Sequence, residues 1–178
     1  LDLPVSMESD FEPFEGMLTS VIDPVYITRN FTTGRFGDFE VSEQERLIQF
    51  SECNIPDPTQ LAIYIDQQSL RKLLVDDGRG GQNLYPIILG NGQEVSATNS
   101  LRAGAVINDL TGIIDERFTG YRMQGTDFTV GPENARPVAA PNVGGFVKVV
   151  GMNVLNYFIT LNSRGANDAD EFDRQEAK

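Results

Sequence analysis

Residues 101–124 read LRAGAVINDLTGIIDERFTGYRMQ, and this stretch decides the fold class. β-Branched and other apolar residues are frequent in 106–114 and 121–124, and charged residues, Thr119 and Gly120 separate the two runs. Short runs of this composition between turn residues are typical of β-strands. The stretch therefore predicts a pair of neighbouring strands, and residues 128–130 (FTV) predict one more.

The chain before residue 101 repeats this pattern of short apolar runs and turn residues. Further strands are predicted over 14–22, 25–28, 36–41, 47–50 and 70–77. Asp23-Pro24 and Thr33-Gly34 are turn signals between them. We interpret residues 54–68, which include Pro56 and Pro58, as a surface excursion, and 84–101 as a loop with a turn at Gly90-Asn91-Gly92.

Almost no sustained helical periodicity precedes residue 138, which favours a mainly β fold. Short strands separated by irregular loops predict a small, closed or nearly closed antiparallel barrel over residues 1–137. Residues 138–145 contain Pro141, Gly144 and Gly145 and predict a linker.

The composition changes again after the predicted linker. Residues 146–158 read FVKVVGMNVLNYF, which predicts a strand buried on both faces. Acidic residues in 167–172 predict the first turn of a helix, where the helix dipole favours negative charge. A buried strand needs neighbours on both sides, so we expect 146–178 to be the truncated start of a second domain. The alternative is that the strand pairs with the edge of the barrel and the helix caps it.

Composition excludes several kinds of chemistry. The 178 residues include no His and one Cys, so the chain has no His-dependent catalysis and no internal disulfide framework. Its formal net charge is −12, and residues 1–60 contain 12 acidic but only three basic residues. That acidic part would repel a polyanion, because nucleic-acid affinity depends largely on Lys and Arg. The longest apolar runs are too short to span a bilayer.

Several motifs occur in a fixed order and together resemble a known family. They are FEPFEGML (11–18), GRFGDF (34–39), LVDDG (74–78), LRAG (101–104), LTGIID (110–115) and YRMQ (121–124). They resemble the OB-fold module that precedes the catalytic domain of bacterial extracellular nucleases. The tail, with NVLNYF (153–158), RGAN (164–167) and EFDRQ (171–175), resembles the opening of the catalytic domain. That domain is of the endonuclease/exonuclease/phosphatase type, similar to deoxyribonuclease I.

The resemblance implies a fold and a reaction. The fold would be an OB-fold barrel followed by the first strand and the start of the first helix of a truncated α/β sandwich. Asn153 would lie beside the divalent metal and the scissile phosphate, as metal ligand and catalytic residue. Asn156 would lie next to this site without contacting the metal itself. The metal would be Mg²⁺, with Ca²⁺ or Mn²⁺ as alternatives. The whole protein would be a secreted or periplasmic nuclease acting on DNA or RNA, and we expect this chain alone not to cleave.

For the barrel itself, the residues that would contact nucleic acid are Arg102, Arg117, Tyr121 and Arg122. OB-folds commonly bind single strands through basic groups and aromatic rings. Two other interpretations stay open: a binding or structural module without catalytic function, and an accessory part of a phosphatase or phosphodiesterase of the same superfamily.

Overall fold

The computed structural model describes residues 1–96, 98–118, 120–135, 137–153, 157–162 and 165–176, with backbone only for 174 and 176. The chain divides into two compact units, Leu1–Arg136 and Pro137–Lys178. The predicted linker, 138–145, therefore belongs to the second unit.

The first unit is mainly β. Its strands are β1 (Leu18–Ser20), β2 (Val25–Arg29), β3 (Phe39–Glu43), β4 (Lys72–Asp76), β5 (Val106–Arg117) and β6 (Gly120–Val130). Its helices are a 3₁₀ helix (Glu8–Phe14), α1 (Thr33–Phe36), α2 (Phe50–Cys53) and α3 (Pro58–Ser69). The second unit contains α4 (Ala169–Glu176). The mainly β class predicted from the sequence is confirmed.

The strands form one sheet in the order β1-β5-β2-β3-β4-β6, and β6 pairs again with β5. Strands β2 to β6 consequently form a ring of hydrogen-bonded neighbours. The prediction of a purely antiparallel arrangement is wrong for one pair, because β4 and β6 run parallel, with Leu74 opposite Arg122. Parallel neighbours need a long crossover, and here the chain passes through β5 between the two strands. No local feature of the sequence predicts that β4 and β6 pair in parallel.

The core lies inside the ring and follows the two-residue period of the strands. Leu73 and Val75 of β4 are buried, and so are Val25 and Ile27 of β2. In β5 the buried apolar residues are Ile107, Leu110 and Ile114. The step from Ile107 to Leu110 is three residues because the register with β6 shifts between Asn108 and Thr111. Asp109 has a φ of 55° at this bulge. The bulge restores the inward direction of the apolar side chains for the rest of β5.

One sequence prediction before β4 is wrong, and another omits a helix. Residues 47–49 form no strand, and Phe50 begins α2. The excursion over 54–68 contains the 12-residue helix α3, whose N-cap Asp57 accepts hydrogen bonds from the backbone N–H of Thr59 (2.8 Å) and Gln60 (3.0 Å). The structure leaves no residue of α3 buried, so the helix has no apolar stripe that would produce a clear period in the sequence.

The buried strand predicted over 146–158 is also wrong for the residues that the structure describes there. Residues 146–153 and 157–158 have no regular backbone structure, and Phe146, Val149 and Val150 are exposed. A strand requires a neighbouring strand, and no β pairing in the described part of the chain includes this segment. The predicted helix does form, as α4: Asp168 Oδ1 accepts from the N–H of Glu171, and Glu171 Oε2 accepts from the N–H of Asn167.

Candidate nucleic-acid interface

The β5–β6 hairpin brings three of the four predicted contact residues of the first unit together. Arg117 ends β5, and Tyr121 and Arg122 follow at the start of β6, with Glu116 opposite Tyr121 and Asp115 opposite Arg122. Arg102 lies before the other end of β5, in a turn where Ala105 N–H donates to its carbonyl (3.0 Å). The four residues therefore do not form one cluster.

Arg122 is buried and paired rather than exposed. Its Nη1 donates to Asp76 Oδ2 on β4 (2.9 Å) and its Nη2 to the carbonyl of Arg117 (3.2 Å). Its guanidinium also lies over the ring of Phe118, 5.2 Å from the centroid. These contacts connect β4, β5 and the hairpin tip, so Arg122 positions its neighbours and presents little charge to solvent.

Tyr121 is in contact with the N-terminal 3₁₀ helix. Its ring lies 5.6 Å from that of Phe11, and its hydroxyl donates a short hydrogen bond to Glu12 Oε2. This hydrogen bond, with some burial and the negative charges of Glu12, Glu116 and Glu15, raises the pKa of Tyr121 to about 12. Phe11 therefore occupies part of the aromatic surface that the sequence assigns to a nucleic-acid base.

Arg117 remains accessible. Its Nε contacts Asp115 Oδ2 at 2.5 Å, but its side chain is 60% exposed. A guanidinium carries five N–H donors, and this contact uses the one on Nε. The Nη donors of Arg117 have no hydrogen-bond partner in the described part of the chain. Arg117 is thus the hairpin cation that is available for a phosphate.

A groove that the sequence does not predict lies on the outer face of β2, β3 and β4. Its volume is about 810 Å³, and α2, α3 and the segment before them form the opposite wall. The segment is held to β2 by Thr28: Leu47 N–H donates to Thr28 Oγ1 (2.8 Å), which donates to Leu47 carbonyl oxygen (3.3 Å). A groove of this size is in the range of ligand sites in proteins.

The groove combines aromatic rings with cations. The rings of Phe50 and Tyr64 meet edge to face at 5.5 Å, and the Tyr64 hydroxyl donates to the carbonyl of Ile48 (2.8 Å). Three cations line the groove (Arg29, Arg46 and Lys72), and so do three carboxylates (Glu40, Glu52 and Asp57). Glu40 pairs with both Arg29 (3.4 Å) and Lys72 (3.2 Å), whereas Arg46 is exposed and has no ion-pair partner in the described part of the chain.

The sequence contains one signal for this groove. Asp57-Pro58 is a helix start, with a capping carboxylate followed by a proline at the first helical position. Recognition of that start would have placed Leu61 and Tyr64, three residues apart, on one face of a helix beside β3 and β4.

The structure does not assemble the predicted metal site. Asn153 is exposed in a segment without regular structure, and Asn156 lies outside the described residues. Within the described ranges, no three Asp, Glu or Cys side chains gather closely enough to hold a metal ion. Asn153 alone offers one amide oxygen, whereas Mg²⁺ in proteins is bound through carboxylates. The metal contact of Asn153 therefore stays a prediction for the whole protein.

No protein-family model, curated protein or solved structure matches this chain. In addition, no helix within the described ranges has the length and apolar character needed to cross a membrane.

Proposed function

We propose that the unit Leu1–Arg136 is an OB-fold module that binds single-stranded nucleic acid in the groove over β2–β4. The ring of β2 to β6 supports the fold, since an OB-fold is a five-stranded, partly open barrel. In an OB-fold, ligands bind on the face of the second and third strands, which are β3 and β4 here. Glu40 and Lys72 of these strands line the groove.

The observation that supports this function best is the composition of the groove. Non-specific single-strand binding combines cations that follow the backbone with aromatic rings on which bases stack. Arg29, Arg46 and Lys72 are the cations here, and Phe50 and Tyr64 are the rings. The arrangement binds nucleic acid without reacting with it, so its role is to hold a strand for another part of the protein.

The parent protein, in this proposal, is a secreted nuclease that hydrolyses phosphodiester bonds with a divalent metal. The motifs at 153–158, 164–167 and 171–175 support this assignment through their resemblance to deoxyribonuclease I-like domains. In such a protein Asn153 would face the metal and the phosphate. The described residues of this chain form no such centre, so cleavage belongs to the whole protein.

A second candidate function is a positioning module that does not bind nucleic acid. It is favoured by the ion pair of Arg122 with Asp76, the hydrogen bond of Tyr121 with Glu12, and the net charge of −12. In that case the barrel would only place the catalytic domain relative to its substrate. The two candidates differ in whether the isolated chain binds single strands.

The test is a fluorescence-anisotropy titration of the 178-residue protein with labelled oligothymidylate at low salt. We expect a dissociation constant in the micromolar range or better. The slope of log K against log salt should be about −0.7, because single strands release ~0.7 counterion per neutralised phosphate and Arg46 is the groove cation without an ion-pair partner in the described part of the chain. No binding at low salt would overturn the proposed binding function and leave the positioning role.

The matched variants are Arg46→Glu and Lys148→Glu. Both reverse one exposed positive charge, but Arg46 lines the groove and Lys148 belongs to the second unit. We expect Arg46→Glu to weaken binding several-fold more than Lys148→Glu. Equal effects would show that binding, if present, does not use the groove.

A further inference from the structure

Phe118, at the tip of the β5–β6 hairpin, has two features that oppose stability. Its side chain is 93% exposed, and its backbone has a φ of 58°. Residues with a bulky side chain rarely adopt this left-handed conformation, which Gly and Asn adopt at lower cost. A positive φ is the conformation that a two-residue hairpin connection between Arg117 and Gly120 uses, but the exposed ring contributes neither to the core nor to the turn.

The ring of Phe118 is nevertheless held in place. The Arg122 guanidinium lies 5.2 Å from its centroid, in a cation–π contact. Arg122 is itself fixed by Asp76 on β4 and by the carbonyl of Arg117. Because Arg122 supports the ring while 93% of the side chain is exposed, Phe118 presents an aromatic surface that is ordered before any ligand arrives.

We propose that Phe118 is a stacking platform for an unpaired nucleic-acid base, and that Arg117 beside it contacts an adjacent phosphate. This inference rests on the proposed nucleic-acid function and adds a contact outside the groove. Stacking on a single ring is tolerant of base identity, because every base has a π face. Arg117 supplies the phosphate contact through its exposed Nη donors.

The surroundings of Phe118 favour nucleic acid over a lipid surface. A membrane-binding tip needs a broad apolar face, whereas the residues before Phe118 are Glu116 and Arg117. A single aromatic ring that follows Arg117 and contacts Arg122 instead matches the combination of stacking and phosphate contact.

The test uses Phe118→Asn, Phe118→Trp and a control, Phe146→Asn. Asn suits a positive φ, so Phe118→Asn should leave the midpoint of unfolding unchanged or raise it. Its affinity for an oligothymidylate should fall about five-fold or more, as expected for loss of one stacked base. Phe118→Trp should bind within about two-fold of the wild type, since Trp also stacks. Phe146→Asn, which removes a fully exposed ring from the second unit, should leave affinity unchanged.

A second readout reports stacking directly. An oligonucleotide containing 2-aminopurine should change its fluorescence on binding to the wild type and to Phe118→Trp, with a smaller change for Phe118→Asn. If the wild type binds and Phe118→Asn binds equally well, the stacking role is overturned and the proposed function stands. If the wild type does not bind, both are overturned. Binding of the wild type to anionic vesicles that Phe118→Asn abolishes, with nucleic-acid binding unchanged, would assign the ring to membranes instead.

Discussion

At the scale of single residues, Gly112 is required by the close approach of β5 and β6. A Cβ at this position would lie 2.3 Å from the backbone oxygen of Gln124 and 2.6 Å from Met123 Cγ. The partner atom nearest to the added methyl belongs to backbone, so the strands would have to separate. Gly34 in α1 is a contrasting case, because a Cβ added there would meet nothing within 4 Å and its φ is not positive.

We therefore expect Gly112→Ala to lower the free energy of unfolding by about 2–3 kcal/mol through overpacking. Gly34→Ala should leave it unchanged or raise it by about 0.5 kcal/mol, because Ala restricts the unfolded chain. Urea unfolding of both variants measures the difference. Equal stability of the two would contradict the close β5–β6 contact at Gly112.

Tyr121 provides a prediction that depends on pH. Its pKa is raised to about 12 from the usual 10.0, mainly by the hydrogen bond to Glu12. A raised pKa in the folded state means that this hydrogen bond stabilises the protein fully below about pH 10. The stabilisation is then lost as pH rises from about 10 to about 12. An ultraviolet titration of phenolate formation should show one tyrosine that ionises late.

The matched variants for this titration are Glu12→Gln and Tyr121→Phe. Glu12→Gln should lower the pKa of Tyr121 toward about 10, because the negative charge that opposes phenolate formation is removed. Tyr121→Phe should delete the late-titrating group. An unchanged late titration in Glu12→Gln would refute the assignment of Glu12 as its cause.

At the scale of secondary-structure elements, α3 depends on its cap more than on packing. Asp57 Oδ1 accepts from two N–H groups at the start of the helix, and none of the residues of α3 is buried. Asp57→Ala should cost about 1 kcal/mol, as a lost N-cap does. Because α3 contributes no buried residue to the core, the loss should appear as faster amide exchange over 59–69, with the global unfolding midpoint nearly unchanged.

Asp66→Ala is the control for this prediction. Asp66 lies on the same helix, is exposed, and its carboxylate makes no hydrogen bond in the described part of the chain. Amide exchange in Asp66→Ala should match the wild type. If Asp57→Ala instead lowers the global midpoint as strongly as a core substitution, α3 is coupled to the sheet more tightly than its exposure indicates.

The same element shows where sequence reasoning succeeds and where it fails. Strands β2, β4 and β5 lie close to their predicted positions, because their alternating side chains face one core. Helix α3 escapes prediction because Leu61, Ile63 and Ile65 alternate as in a strand and none of them becomes buried. The groove escapes prediction with it, since the groove exists only where α3 faces β3 and β4.

Pairings between distant elements are likewise beyond local reasoning. The sequence predicts Arg122 as a phosphate contact because it places a charge beside Tyr121. The partner of Arg122, Asp76, is 46 residues away and comes close only through the parallel β4–β6 pairing. The apolar segment 146–158 shows the reverse case: its residues have a strong local preference for strand, but no β pairing in the described part of the chain includes them.

At the scale of the whole molecule, binding has to overcome a net charge of −12. Salt screens the long-range repulsion between the acidic protein and a polyanion. Salt also weakens the contacts of Arg46 and Arg117 with phosphates. The site must therefore depend on local contacts in the groove and at the hairpin tip.

The most direct measurement is an amide chemical-shift titration of the ¹⁵N-labelled protein with oligothymidylate at low salt. Saturable shifts should concentrate in residues 46–50 and 64–72 around the groove and at 116–118 of the hairpin. The turn at Arg102, beyond the opposite end of β5, should not move, and added salt should reverse the shifts. Absence of saturable shifts, or shifts centred on the Arg102 turn, would contradict the proposed binding face.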